Sequence, residues 1–246
     1  MAETRYDSQA AADYQAAREV PRDGLEAWRT AVSAAAALAP GMTVLDVGAG
    51  TGAFASAFHA WFGVRVLAVE PAAAMRALIP ASEEIRALDG KAESLPVPDG
   101  CADAAWLGSV IHHLDDLEAS ARELRRALKP GAPVLIRNSF PGRCDRDLRV
   151  RFFPETAGLV DTYPTVDRVR AAFATAGFAQ VSLRPLPQRS APTLTAYADG
   201  LRRAADSKLR ALPDAAYARG LARLRSAAEA DPTEPATSWM DLLVLA

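Results

Sequence analysis

The chain has 246 residues, half of them hydrophobic, with 28 Lys and Arg against 30 Asp and Glu and a formal net charge of −2. That length buries a sizeable core and suits one elaborated α/β unit better than two domains. The balance of charge leaves no general electrostatic footprint for nucleic acid, and the longest apolar stretch, TAVSAAAALAP, is too short and Ala-rich to span a membrane. The polar, acidic opening MAETRYDSQAAADYQ argues against a signal peptide. Two cysteines without metal or redox spacing, Cys101 and Cys144, fit a reduced cytoplasmic setting.

Residues 5–19 read as a helix with Tyr6, Ala10, Tyr14 and Ala17 near one face, broken at Pro21 and Gly24. Residues 25–38 read as a second helix, stopped by Pro40-Gly41. An alternation follows: strand MTVLDV, helix 53–62, strand VRVLAVE, helix AAAMRALI, short strand IRALD, strand DAAWLGS, and a helix over 115–129. That helix repeats Leu117, Ala121, Leu124 and Leu128 on one face and is stopped by Lys129-Pro130-Gly131. The run APVLIRN is a fifth strand. Strands alternating with helices predict βαβ units and a parallel sheet covered on both faces. Residues 139–164 break the rhythm as an irregular segment rich in arginine and aromatic residues. A helix over 165–176 ends at Gly177, AQVSLRPL is a sixth strand, residues 191–230 form two helices parted near Pro213, and TSWMDLLVLA is the last strand.

Where the first strand hands over to a helix the chain reads TVLDVGAGTGAFASAF, with Gly48, Gly50 and Gly52 at alternate positions. Glycines there let the backbone turn tightly beneath a ligand, and the helix N-terminus offers unpaired N–H donors. Taken alone, Gly48-x-Gly50-x-x-Ala53 also satisfies a loose dinucleotide fingerprint. Asp46 discriminates: its carboxylate repels a pyrophosphate and suits an amino group. Glu70, ending the second strand, suits the two hydroxyls of a ribose. The pair favours an adenosyl amino acid over a nicotinamide dinucleotide.

On the strings LDVGAGTG, VEPAAAM, GKAESLPVPDG, DAAWLGSVIHHL and RELRRALKPGAPVLI, the sequence resembles the class I S-adenosylmethionine-dependent methyltransferases, in particular the small-molecule branch of the ubiquinone/menaquinone C-methyltransferases. The resemblance spans roughly residues 6–186. It implies an α/β, Rossmann-like, doubly wound fold: a mostly parallel seven-stranded sheet with an antiparallel last strand, N-terminal lid helices over 1–40, and a core over 41–246 with substrate-cap insertions at 139–164 and 188–237. It implies S-adenosylmethionine as cofactor and S-adenosylhomocysteine as product. Asp46, Gly48, Ala49 and Gly50 would hold the methionine portion, Glu70 the ribose, and Pro71 and Met75 the adenine face. Lys91 and Ala92 would line the adenine edge, with Leu107 offering a carbonyl near the ammonium. Members of the family often carry Asp where this chain has Lys91; lysine has no acceptor, so that contact is lost unless Glu93 replaces it. The segment around Tyr14 and Arg18 resembles the lid helix, with Arg18 pairing the methionine carboxylate; the alternative is an amphipathic helix with a solvated arginine.

His112 and His113, in GSVIHHLDD, are the candidates for a general base, because imidazole titrates near neutral pH. The competing reading has one histidine capping the helix that starts near Asp115 and the other packing against the cofactor wall. No metal is expected. Substrate contacts are assigned to the first insertion, with Phe140, Arg149, Arg151 and Phe152 facing an anionic, partly aromatic small molecule. Asp145 and Asp147 interleave with the arginines, and a solvated helix face is the favoured alternative. The functional expectation is methyl transfer to O, N or C of a small molecule, with no nucleic acid or membrane partner. The alternative is a protein of this fold that binds the cofactor without methylating, either structurally or in a non-redox cyclisation.

Overall fold

The computed structural model describes residues 22–80 and 82–246, so the helix expected over 5–19, with Tyr14 and Arg18, lies outside the described residues. Five parallel strands form the centre: β1 (Thr43–Val47), β2 (Arg65–Val69), β3 (Ile85–Leu88), β4 (Ala104–Gly108) and β5 (Val134–Asn138). β6 (Gln180–Ala191) and β7 (Ala236–Leu245) complete a seven-stranded sheet of order β3-β2-β1-β4-β5-β7-β6, in which β7 runs antiparallel to both β5 and β6. The expected mostly parallel sheet with an antiparallel last strand is therefore present.

Period-two side-chain alternation sends the strands' apolar residues to two separate cores. Leu45, Val47, Leu107 and Ile136 join one face with the helix α4 (Leu117–Ala127), whose Leu117, Ala121 and Leu124 are buried there. Val44, Trp106, Leu135 and Val244 join the other with α1 (Glu26–Ala36) and α2 (Ala53–Phe62), where Trp28 and Phe58 pack edge-on against Trp106 at 6.2 and 5.2 Å. Both faces of β1 and β4 are covered, as parallel sheets require. The chain runs outward from β1 through β2 to β3, then returns to place β4 on the other side of β1. This reversal opens a crevice at the carboxyl ends of β1 and β4, the place where ligands enter such sheets.

Three local readings change. The helix expected at AAAMRALI shortens to α3 (Ala73–Arg76) and is followed by turns up to Pro80. The segment 139–164 contains α5 (Leu148–Phe152) and α6 (Ala157–Val160), ahead of α7 (Val166–Ala174). β6 continues through Pro185 and Pro187 to Ala191, so the residues between the last two strands are 192–235 rather than 188–237. Proline lacks the N–H that an interior strand needs on both sides, but β6 is the sheet's edge, where one side stays unpaired. The intervening residues form α8 (Leu194–Gly200), α9 (Ser207–Arg210) and α10 (Asp214–Ala230), the break before α10 falling at Pro213 as expected. With α5 they make a third, smaller core around Phe152, Phe153, Leu194, Leu209 and Leu224.

Candidate functional site

The loop after β1 folds over the end of β2. The amides of Gly48 and Ala49 both donate to the Val69 carbonyl, at 2.8 and 3.1 Å. Glu70 then locks the loop in place: Oε2 accepts from the Gly50 amide and Oε1 from the Ala72 amide, each at 2.9 Å. Burial raises the pKa of Glu70, and those two amides together with Arg76 oppose the rise. Arg76 holds the following turn by donating to the carbonyls of Glu70 (2.7 Å) and Pro71 (3.1 Å) and to Asp89 Oδ1 (3.1 Å).

Gly48 cannot be replaced without movement. Its φ is +69°, and a Cβ there would sit 2.3 Å from Cγ2 of Val110, just beyond β4. The loop thus presses against the exit of β4, with its Gly48, Ala49 and Gly50 amides tied to the end of β2. Beneath it lies Asp46, only 2% exposed, whose Oδ2 has no hydrogen-bond partner among the described residues. Desolvation, reinforced by the charge of Glu70 and opposed by the Ala55 amide, pushes its pKa up to about 7. A buried carboxylate oxygen without a partner costs on the order of 1–3 kcal/mol, which a cationic donor would recover.

Asp46, Gly48, Ala49, Gly50 and Glu70 are thus brought together at one point. Met75 is buried in α3, with Pro71 exposed ahead of it. Lys91, exposed, pairs with Ser94 across an isolated bridge; Ala92 is buried. Glu93 Oε1 accepts from the amides of Asp115 (3.1 Å) and Asp116 (3.4 Å), tying its loop to the turn before α4. Leu107 is fully buried in β4.

His112 and His113 close a 3-10 turn, Ile111–His113, after β4. Neither caps α4. Asp116 does so, accepting from the amides of Glu118 and Ala119 at 2.9 Å, which corrects the capping role considered for a histidine. His112 is half-buried, with Nδ1 3.2 Å from Asn138 Oδ1 at the end of β5. Tyr163, from the insertion, stacks on its ring at 4.0 Å and 10°, and the His113 ring lies 4.1 Å away.

Of the expected substrate residues, Arg149, Arg151 and Phe152 sit in the cap's framework, whereas Phe140 belongs to the main core and faces no acceptor. Phe140 is fully buried in the main core and Phe152 in the third. Arg149 is half-buried and pairs with Asp206 at 2.5 Å and with Asp147 at 3.3 Å, so it is not a freely solvated charge. Arg151, partly exposed, pairs with Glu234. Asp147 is the hub of this region. It is wholly buried, begins α5 by accepting from the Arg149 amide, and also meets Lys208, Ser139 and Ser238. Its neighbouring cations hold its carboxyl far below the usual range despite burial.

Asn138, Asp206 and Lys208 escaped sequence reasoning, and Asp147 reads there only as a charge interleaved with the arginines. Only Asn138 carried a signal, as a polar residue ending an apolar strand at the edge already marked by Asp46 and Glu70. Among the described residues there is no acidic, histidine or cysteine cluster suited to a metal, and no helix long and apolar enough to cross a membrane.

Residues 45–136 match the family profile described as "Methyltransferase domain". Among curated relatives, the 2-methyl-6-phytyl-1,4-hydroquinone methyltransferase of Synechocystis is 32% identical over 120 residues, 47% of this chain and 37% of the relative. The malonyl-[acyl-carrier protein] O-methyltransferase of Pectobacterium atrosepticum is 34% identical over 95 residues, 38% of this chain and 37% of the relative. The chain thus spans well under half the length of these two relatives. A solved structure from Anabaena variabilis, described as a methyltransferase from an antibiotic biosynthesis pathway, superposes with TM-score 0.68 at 19% identity, covering 94% of this chain and 99% of that one. At that identity the likeness is one of fold.

Proposed function

We propose, from the match of residues 45–136 to the methyltransferase-domain profile, that the chain transfers the methyl group of S-adenosylmethionine to O, N or C of a small molecule, releasing S-adenosylhomocysteine. One observation carries the reading: a buried, unpartnered Asp46 carboxylate oxygen beneath a glycine loop that Glu70 fastens. These groups fit the cofactor. Asp46 receives its ammonium, the loop at Gly48, Ala49 and Gly50 lets the backbone approach the methionine portion, and Glu70 takes the ribose hydroxyls. Each Glu70 oxygen gives one lone pair to an amide and keeps acceptor capacity for a hydroxyl. Pro71, Met75 and the loop at Lys91, Ala92 and Glu93 would border the adenine, and the Leu107 carbonyl would serve the ammonium. When bound, the cofactor supplies an electrophilic methyl group on a sulfonium.

On the acceptor side, the cap positions the small molecule and excludes water, since direct transfer needs in-line placement. Phe152 shapes that wall, and Arg149 and Arg151 hold it through their carboxylate partners. The two relatives named above act on a hydroquinone and on a malonyl carrier protein, so the shared segment supports the cofactor half and leaves the acceptor to the cap. The proposed setting is cytoplasmic, with a small-molecule acceptor and no nucleic acid.

Calorimetric titration of S-adenosylhomocysteine into wild type and Glu70→Ala tests the cofactor site. Loss of a charged acceptor should weaken binding by about 1.5–3 kcal/mol, roughly 10- to 150-fold. No binding by the wild type removes the function. Binding without turnover on phenol, amine and hydroxy acceptors makes the chain a cofactor-binding protein instead.

A further inference from the structure

We infer that Asn138 is a positioning residue that fixes His112 as the Nδ1–H tautomer and so makes Nε2 the proton acceptor of the methyl-transfer site. The chemistry of the amide decides the orientation. Asn138 Nδ2 donates to the Ser139 carbonyl at 2.8 Å, and a carbonyl can only accept, so the nitrogen of the amide must face it. Oδ1 therefore faces His112 Nδ1 at 3.2 Å, and an amide oxygen can only accept, so the proton of the neutral ring sits on Nδ1. Asn138 is 1% exposed, which denies it alternative water partners, and the stacked Tyr163 holds the plane of the imidazole.

Nε2, on the far side of the ring from Asn138, is then the basic nitrogen. His112 and Asn138 leave the carboxyl ends of β4 and β5, the edge that carries Asp46 and Glu70. As the acceptor's lone pair bonds to the methyl carbon, the electron pair of the breaking carbon–sulfur bond returns to sulfur. The acceptor's proton passes to Nε2, leaving an imidazolium that still donates through Nδ1 to Asn138. This role deepens the methyl-transfer reading and rests on it; the tautomer does not.

Nitrogen-15 NMR of the imidazoles at a pH above their titration, with His112 assigned by difference from His112→Gln, reads the tautomer directly. Wild type should show a pyrrole-type Nδ1 and a pyridine-type Nε2 on His112. Asn138→Leu should lose that preference and, with S-adenosylhomocysteine affinity unchanged, lower kcat on the order of 10²-fold, whereas Asn138→Asp, which keeps the acceptor, should restore both. A wild-type proton on Nε2 overturns the inference even if the variants do not fold. Unchanged kcat in Asn138→Leu overturns the positioning role. A wild type with the expected spectrum and no turnover on any acceptor refutes the methyl-transfer reading and leaves the tautomer standing.

Discussion

Lowering the pH from about 8 to about 6 should weaken S-adenosylhomocysteine binding about tenfold, and Asp46→Asn should abolish that dependence. With the Asp46 pKa near 7, about ten-elevenths of the unliganded protein carries the carboxylate at the higher pH and about one-eleventh at the lower. The ligand's ammonium selects the ionised form, so the ratio of these populations appears in Kd, worth about 1.4 kcal/mol. Without ligand, burial shifts the balance toward the neutral acid. The folded-state value lies above the ordinary 3.8, so the stability that Asp46 contributes is fully present below that value and is lost as pH rises through about 7. The gap corresponds to at most about 4 kcal/mol at pH 8. Asp46→Asn should therefore raise the Tm of the unliganded protein at pH 8 while costing about 1.5–3 kcal/mol of binding. Glu70 also titrates upward, and the Asn variant separates the two acids. Calorimetry at several pH values checks the affinity, and scanning calorimetry the stability. A wild-type Kd flat across this range, or an Asn variant with the wild type's slope, would refute the reasoning.

Gly48→Ala forces a Cβ onto Val110 at a positive φ and should cost about 1–3 kcal/mol, with loss of cofactor binding; a variant with wild-type Tm and affinity contradicts the close approach. Arg149→Ala strips a cation from the wholly buried Asp147 and should destabilise by roughly 3–5 kcal/mol in urea unfolding. Arg151→Ala breaks a partly exposed pair with Glu234 and should cost under about 1 kcal/mol; equal costs for the two arginines would mean that burial does not separate them.

The division between what the sequence discloses and what it hides follows the range of each interaction. Parallel strands buried on both faces write their burial as apolar runs, so β1, β2, β4 and β5 are legible within a residue or two. The glycine loop is legible for the same reason: its turn and its contact with the end of β2 are demanded by residues one strand and one helix apart. The cap is different. Asp147 meets Arg149 two residues away, but Lys208 is 61 residues and Ser238 91 residues further on, and no local pattern separates that buried hub from a solvated helix with mixed charge. Arg149 reads as solvent-facing until Asp206 is folded against it.

The histidine pair shows how far a local rule can be pushed. Asp116 satisfies the N-cap preference better than histidine does, and its position directly before Leu117 marks it as the cap. With the cap so assigned, neither histidine is needed to start the helix. The rule that picks Asp46 and Glu70, a polar residue ending a buried strand at the carboxyl edge, applied again to VLIRN, picks Asn138. A parallel sheet sends the ends of all its forward strands to one side, so polar residues at those ends meet whatever their separation in the chain. His112 and Asn138, 26 residues apart, are in hydrogen-bond contact because β4 and β5 are neighbours.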